Sequence, residues 1–167
     1  KTMTPEILSW RIEAVEGLGW IGLTAPILVA KGCKELYIGS SYTWNNPYPQ
    51  AASPLVDNNI KFADVQIIHD AFEMSRAQKN EYLAQECKRR GLPGMPLRVC
   101  ARILNANEKS CCKCEKCLRT MTGFLILGEE VRKYGFDISN ERAIKRVKKN
   151  FRNWKLIDRL AWCWKES

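Results

Sequence analysis

The chain reads LRVC at residues 97–100 and CCKCEKCLRT at residues 111–120, so that five of its eight cysteines fall within eighteen residues. Cys111, Cys114 and Cys117 stand three apart, a spacing that lets two tight turns, or a turn that runs into a helix, direct three sulfur atoms to one point. Cys100 supplies a fourth sulfur at the end of a short apolar run. Four thiolates form the ligand set of a closed tetrahedral zinc site, which stabilises a loop too short to build its own core. We expect the remaining cysteine, Cys112, to point away from the metal.

Three other interpretations of these cysteines are open. Separate disulfides are typical of small secreted proteins, whereas this chain is long, shows no signal-peptide pattern and crowds its cysteines together. Chance clustering of reduced cysteines is the second alternative. The third is an iron–sulfur cluster, because the spacing of Cys111, Cys114 and Cys117 also matches the first three ligands of a bacterial ferredoxin run, although the Cys-Pro that ends such runs is missing. We expect zinc, with an iron–sulfur cluster as the main competitor.

The composition is that of a globular, basic protein. With 167 residues, of which 46% are hydrophobic, the chain can bury one substantial core. Residues 139–167 contain nine Lys or Arg against three acids and so carry most of the formal charge of +9. The longest apolar run, residues 18–30, is shorter than a membrane-spanning helix requires. Clustered cysteines without secretory features predict a reducing, cytoplasmic environment.

The N-terminal third predicts two helices before any strand. The first residue is Lys1 rather than Met, and helix signals begin at once, so we expect the sequence to be a piece of a longer protein. Thr4 and Pro5 predict the start of a helix that runs to about residue 15. Residues 20–31 are apolar nearly all round, which predicts a helix buried in the core and ended by Gly32.

The middle of the chain alternates strands with helices. Residues 35–39 and 65–68 are short, β-prone and apolar, which predicts two buried strands. Between them, residues 44–64 contain several prolines and asparagines and predict a long ordered loop with a helical turn near residues 59–62. Ser75 and Gln78 form a capping-box pattern that opens a helix to about Arg90. This order predicts a parallel sheet flanked by helices.

The C-terminal third predicts three helices and a basic extension. Residues 115–127 show a helical apolar face, with Cys117 inside the first turn. Residues 140–149 and 154–164 predict two further helices, and we divide the chain into an α/β domain at residues 1–138 and an extension at residues 139–167. On a helix the extension aligns four cations on one face, and such a strip suits phosphate-backbone contact or a plain solvated surface: Arg142, Lys145, Lys149 and Arg152.

Polar residues at the carboxyl ends of the predicted strands mark a candidate ligand crevice, because ligands of open parallel sheets bind there. Ser40 and Ser41 follow the first strand, and His69 and Asp70 follow the second. Paired serines are also common turn formers, and a histidine beside an aspartate is often a satisfied strand-end residue. Arg76, in the first turn of the next helix, opposes the helix dipole, which a bound anion or a nearby carboxylate would offset.

These residues together resemble a known family. YIGSS at residues 37–41, SPL at 53–55, MSRAQ at 74–78, LRVC at 97–100 and the three-cysteine run occur in the order seen in the C-terminal half of 7-cyano-7-deazaguanine synthase-like proteins. The resemblance covers roughly residues 20–128, and the cysteine set is its most specific part. It implies a PP-loop ATPase with a Rossmann-like, adenine nucleotide α-hydrolase-like fold and a zinc site at Cys100, Cys111, Cys114 and Cys117.

The chain also departs from the family pattern. The Ser-Gly-Gly-x-Asp-Ser loop that binds pyrophosphate is absent, and we expect it before Lys1 in a longer protein. Arg76 stands where the family has lysine, and the interval from Cys100 to Cys111 is slightly longer. For the longer protein the resemblance implies ATP and Mg²⁺ as cofactors, adenylation of a carboxylate followed by attack of ammonia, and a nucleobase-like small substrate; it is compatible with a homodimer.

Two functional hypotheses follow from the sequence. The first is the zinc-bearing part of an ATP-dependent ligase of the PP-loop class, inactive by itself for lack of the pyrophosphate loop. Its crevice would be lined by six residues: Ser40, Ser41, His69, Asp70, Ser75 and Arg76. The second is a non-enzymatic zinc module that contacts nucleic acid through its basic C-terminal helix.

Overall fold

The computed structural model describes residues 16–45, 52–100 and 109–153, with backbone alone for residue 16 and residues 151–153. The helices predicted at residues 5–15 and 154–164 lie outside these ranges. The chain divides into two compact units, Lys1–Glu73 and Met74–Ser167. In the part of the chain that is described, no helix combines the length and the apolar character needed to cross a membrane.

The first unit is a small α/β arrangement. Its elements in chain order are helix α1 at Glu16–Ala30, strand β1 at Glu35–Gly39, the short helix α2 at Pro54–Asp57, and strands β2 at Lys61–Phe62 and β3 at Val65–Asp70. The strands form a mixed sheet in the order β1-β3-β2. Strands β1 and β3 are parallel, with Gly39 opposite Asp70, whereas β2 is antiparallel to β3. The expected parallel pairing is present, and β2 adds an antiparallel edge.

The core of the first unit buries less of helix α1 than the sequence predicts. Ile21 of α1 is buried with Val65 and Ile67 of β3, and Leu28 of α1 packs against the same cluster. Ile21 and Leu28 are seven residues apart and therefore lie on one helical face. Leu23, on the other side of α1, is 73% exposed. The prediction that this helix is buried all round is wrong, because only one of its faces meets the sheet.

Two predictions for the strands and the loop also need correction. Strand β1 has the predicted bounds, but it lies at the sheet edge and has no fully buried residue. The helical turn expected near residues 59–62 is instead α2, which Pro54 opens at its first position, and Lys61–Phe62 is a strand. Proline is preorganised for the first helical turn, so SPLVD at residues 53–57 is a stronger signal for a helix start than residues 59–62. Strand β3 also continues through His69 and Asp70.

The second unit is helical and carries the clustered cysteines. We call residues 109–114, which precede the helix at Glu115–Ile126, the cysteine loop. Helix α3 spans Arg76–Arg89, α4 spans Glu115–Ile126, a 3-10 helix spans Val131–Tyr134 and α5 spans Asn140–Asn153. The predicted capping box is present: Ser75 Oγ accepts from Gln78 N–H at 3.3 Å, and Gln78 Oε1 accepts from Ser75 N–H at 2.7 Å. Helix α4 packs against both α3 and α5.

The core of the second unit surrounds α4. Cys117, Leu118, Met121 and Phe124 of α4 are almost fully buried, and the Phe124 ring stacks on Tyr134 at 3.6 Å between centroids. Ala143 of α5 belongs to the same cluster, so the start of the predicted basic extension is part of this core. Cys100 and Cys117 of the predicted metal site belong to this cluster, and Cys111 and Cys114 pack against it.

Candidate metal centre

Four cysteine sulfur atoms converge in the second unit. The Sγ atoms of Cys100, Cys111, Cys114 and Cys117 all lie within 4.8 Å of one another. Cys114 Sγ is 3.4 Å from Cys117 Sγ and 3.9 Å from Cys100 Sγ, and Cys111 Sγ is 3.9 Å from Cys117 Sγ. Within the described ranges, this is the one group of three or more possible ligand residues. It comprises the four cysteines that the spacing predicts.

Three different local structures present these sulfurs. Cys114 is the N-cap of α4, and Cys117 lies in its first turn, where Leu118 N–H donates to Cys114 O at 2.9 Å. Cys111 precedes the tight turn at Cys112, whose φ is +53°. Cys100 comes from the segment before the loop, which is fixed where Leu97 N–H donates to Tyr134 O at 3.0 Å.

The turn after Cys111 is arranged to hold a negatively charged sulfur. The amides of Lys113 and Cys114 both point at Cys111 Sγ, with N···S distances of 3.4 Å and 3.3 Å. Burial raises the pKa of the Cys111 thiol, but these amides and the neighbouring thiols lower it by more, to about 6. Backbone N–H groups that donate to a thiolate favour the charged form that a metal ligand requires.

The thiols of Cys114 and Cys117 hold their protons more strongly than an ordinary cysteine thiol. Burial is the main cause that raises the pKa of Cys114, and burial followed by the hydrogen bond with Cys114 raises that of Cys117. A thiol must lose its proton to bind a metal ion. Capture of a cation by this site therefore releases protons from Cys114 and Cys117.

The distances fit a single tetrahedral ion better than the alternatives. Zinc–sulfur bonds of about 2.3 Å place neighbouring sulfurs of a regular tetrahedron about 3.8 Å apart. Disulfide sulfurs would be about 2.0 Å apart, and all seven cysteines in the described ranges are free thiols. In a cubane iron–sulfur cluster each cysteine binds a different iron, which spreads the sulfurs farther apart than one shared ion does. The four cysteines can therefore hold a metal ion such as zinc.

Cys112 is excluded from this group, as expected. Its side chain is buried, and its thiol donates to Ser110 O at 3.3 Å. Burial raises the pKa of Cys112. Its carbonyl oxygen accepts a hydrogen bond at 3.2 Å from Nη1 of Arg146 in α5. Cys112 thus connects the cysteine loop to the last described helix through its backbone, without contributing its sulfur.

The candidate crevice residues form two groups, one in each unit. In the first unit, Ser40 N–H donates to Asp70 O at 2.9 Å, so the ends of β1 and β3 meet at one edge of the sheet. The Ser40 hydroxyl bonds to Tyr42 O, and Ser41 is exposed. In the second unit, Ser75 caps α3 and Arg76 is its first residue.

His69 has a partner that the sequence does not reveal. Its Nδ1 lies 2.6 Å from Oδ2 of Asp57, and the two side chains are 2% and 0% exposed. Among the residues that the structure describes, His69 Nε2 and Asp57 Oδ1 find no hydrogen-bond partner. The arrangement matches the alternative of a buried, partnered strand-end histidine. Asp57 is twelve positions away in a segment that resembles a turn, so no local signal links the two residues.

The basic strip begins on a described helix. Arg142, Lys145 and Lys149 are exposed on α5, while the side chain of Arg152 lies outside the described residues.

Comparison of the chain with models of protein families, with curated proteins and with solved structures finds no match.

Proposed function

We propose that the four cysteines bind one structural zinc ion that ties Cys100 and residues 111–114 to helix α4. The observation that carries the proposal is the convergence of four free thiols within 4.8 Å. A site closed by four protein ligands leaves no position for a substrate, so the role of zinc is to stabilise the second unit. The free thiols also fit a reducing, cytoplasmic environment.

Metal analysis of aerobically purified protein tests this proposal. We expect about one zinc per chain, because four thiolates complete one tetrahedral site. A brown protein that contains iron and absorbs near 400 nm, roughly where thiolate-bound clusters absorb, would replace zinc with an iron–sulfur centre.

We further propose that the chain is the zinc-bearing part of a PP-loop ATPase that resembles 7-cyano-7-deazaguanine synthase, whose longer form activates a small, nucleobase-like substrate with MgATP. The proposal is supported by the order of the elements: a helix, a parallel pair of strands, a capped helix and then a four-cysteine site. The shared edge where Ser40 meets Asp70 is the place where open parallel sheets bind ligands. In this proposal His69 is a positioning residue at that edge, because Asp57 holds its ring.

Two measurements test the enzymatic proposal. Because the chain has no Ser-Gly-Gly-x-Asp-Ser loop, isothermal titration with MgATP should show no more than weak binding. Micromolar affinity would place the nucleotide site within these residues and contradict the assignment. In the longer protein, Arg76→Ala should slow ATP–pyrophosphate exchange more than it lowers thermal stability, and equal losses would indicate a structural role.

A second candidate function is nucleic-acid binding by the zinc-bearing unit. The observation that favours it is the exposure of Arg142, Lys145 and Lys149 along one face of α5. Retention on a polyanion column that falls steeply with salt would support this function. Retention unchanged by the double variant Lys145→Glu, Lys149→Glu would contradict it.

A further inference from the structure

One hydrogen bond connects the cysteine loop to the basic helix. Arg146 Nη1 in α5 donates to the carbonyl oxygen of Cys112 at 3.2 Å. Cys112 stands between the metal-binding residues Cys111 and Cys114, so the guanidinium reaches the backbone that shapes the metal site. Because a guanidinium is always charged and directional, it both fixes the loop and brings a positive charge to it.

The exposed cations of α5 lie on the side of the helix next to this contact. At about 100° per residue, Arg142, Lys149 and Lys145 lie about 40°, 60° and 100° from Arg146, in the direction away from the core. Ala143 and Val147, which pack into the core, lie on its other side. Glu141 and Lys148 lie farther round the helix in the same direction, about 140° and 160° from Arg146, so that Lys148 is about 60° from Lys145 and about 100° from Lys149.

The loop adds its own cation to this side. Lys113 directly follows Cys112, and its side chain is exposed. Two acids near this side are already paired: Asp137 binds Lys109 at 2.9 Å, and Glu115 lies 3.2 Å from Arg119. No ion pair with Lys113, Arg142, Lys145 or Lys149 is present among the residues that the structure describes. These four charges are therefore available to an external anion.

We infer that Lys113 of the cysteine loop and Arg142, Lys145 and Lys149 of α5, joined through Arg146, form one cationic surface that binds the phosphodiester backbone of nucleic acid only while the metal holds the loop in place. The inference rests on the proposed zinc site and specifies the second candidate function. It predicts that a loop residue and a helix residue far apart in sequence act together in binding.

The chemistry of this surface fits a nucleic-acid backbone better than a lipid bilayer. A helix that binds a bilayer presents an apolar face to it, but Ala143 and Val147 of α5 are used by the core. Ile144, which is 40% exposed, lies on the side opposite Arg146. The cations extend about 10 Å along the helix from Arg142 to Lys149, which suits a polymer of phosphates more than a single phosphate.

The surface offers positive charge without base readout. Lysine and arginine contacts to phosphates position a protein on nucleic acid but carry no sequence information. Four such contacts give a log–log dependence of affinity on salt with a slope of roughly −3 to −4. We therefore expect equal binding to RNA and DNA duplexes of unrelated sequence, weakening by about 10²-fold between about 50 and 200 mM salt.

Fluorescence anisotropy with labelled RNA and DNA duplexes of about 20 base pairs tests the inference on the full, zinc-loaded chain. Lys113→Glu and Lys149→Glu should each weaken binding by at least tenfold and reduce the magnitude of the salt slope by about 1. Lys148→Glu, the same charge reversal at the α5 lysine that lies farthest round the helix from Arg146, is the matched control and should change affinity by less than about threefold. Removal of the metal with a chelator should weaken binding at least as much as Lys113→Glu does.

Several results would overturn the inference. If Lys148→Glu is as harmful as Lys149→Glu, the attraction is diffuse, and if Lys113→Glu has no effect, the loop is not part of the surface. Unchanged binding by the metal-free chain would refute the dependence on the metal. Stronger binding to phosphatidylglycerol vesicles than to either duplex would assign the surface to a membrane.

Zinc content, measured separately for every variant, distinguishes failure of the metal site from failure of the surface. If Lys113→Glu lowers the zinc content, Lys113→Gln replaces it and should still weaken binding several-fold. A zinc-loaded chain that binds neither duplex refutes the inference and leaves the structural zinc site intact.

Discussion

At the scale of single residues, position in the cysteine loop determines what a thiol does. Cys111 receives two backbone N–H groups on its sulfur, whereas the adjacent Cys112 donates its own S–H to a carbonyl. The left-handed backbone at Cys112 turns the two neighbouring side chains in different directions. Identical residues next to each other in sequence are therefore placed for metal binding in one case and for packing in the other.

This difference predicts unequal effects of two conservative substitutions. Cys111→Ser should lower zinc affinity by more than about 100-fold, because loss of a ligand is more severe than loss of an outer partner. Cys112→Ser should retain the metal and change the free energy of unfolding by less than about 1 kcal/mol, since a hydroxyl can also donate to Ser110 O. A competition assay with a chromogenic chelator measures the affinities. If Cys112→Ser loses the metal and Cys111→Ser does not, the ligand assignment is wrong.

At the scale of elements, two features fix helix α4 in its unit. Its Gly123 lies against Asn80 of α3, so closely that an added Cβ would be 2.2 Å from Asn80 Nδ2. Just beyond its C-terminal end, the buried Glu129 pairs with Lys88 of α3 at 2.6 Å, and its carbonyl accepts from Asn140 Nδ2 of α5 at 2.9 Å. One contact is steric and the other electrostatic, and each can be tested separately.

The steric contact predicts that Gly123→Ala is destabilising. Because Asn80 is buried and cannot move away freely, the extra methyl group should lower the free energy of unfolding by about 1–3 kcal/mol. Adding Asn80→Ala should recover part of the loss. Gly22→Ala in α1, where an added Cβ meets nothing within 4 Å, is the control and should be neutral or stabilising by up to about 1 kcal/mol. Chemical denaturation measures all four proteins; equal effects of the two glycine substitutions would refute the contact.

The electrostatic contact predicts sensitivity to acid. The ammonium of Lys88 is the main cause that lowers the pKa of Glu129. A carboxyl with a lowered pKa in the folded state contributes stability above its unfolded pKa of about 4.3 and loses it as pH falls through the folded pKa. Wild type should therefore lose more stability than Glu129→Gln between about pH 6 and pH 3.5. Acid also removes the metal, but this loss affects both proteins and therefore drops out when their stabilities are compared. Parallel pH profiles would contradict the prediction.

At the scale of the whole molecule, all four metal ligands belong to the second unit. Removal of the metal should therefore disorder the cysteine loop and the start of α4, because apparent binding energies of structural zinc are about 10–16 kcal/mol and act as folding energy. We expect amide NMR signals of α4 to lose dispersion on chelation while those of β1 and β3 keep theirs. Restoration of zinc should reverse the change. Loss of the β-strand signals together with those of α4 would contradict this assignment.

The sequence was most informative where one local rule acts without competition. Ser75 and Gln78 predicted the start of α3, and the spacing of the cysteines predicted which four sulfurs converge, because few residues determine each feature. It was least informative where the answer depends on distant partners. Helix α1 is apolar nearly all round, so its sequence could not show that Ile21 and Leu28 face the core while Leu23 is exposed. The pairing of His69 with Asp57, and of Arg146 with Cys112, likewise depends on contacts made through the fold.

The parallel pairing of β1 with β3 also bears on the order of folding. Its partners, such as Glu35 and Gln66, stand about 30 residues apart, and the chain between them must lose loop-closure entropy before the β1–β3 pair gains any hydrogen bond. Helices form from neighbouring residues, and chains rich in local contacts fold faster than those with distant ones. In pulse-labelled hydrogen exchange we therefore expect the amides of α3 to be protected before those of β1, so that the helical unit forms first although it comes second in the chain.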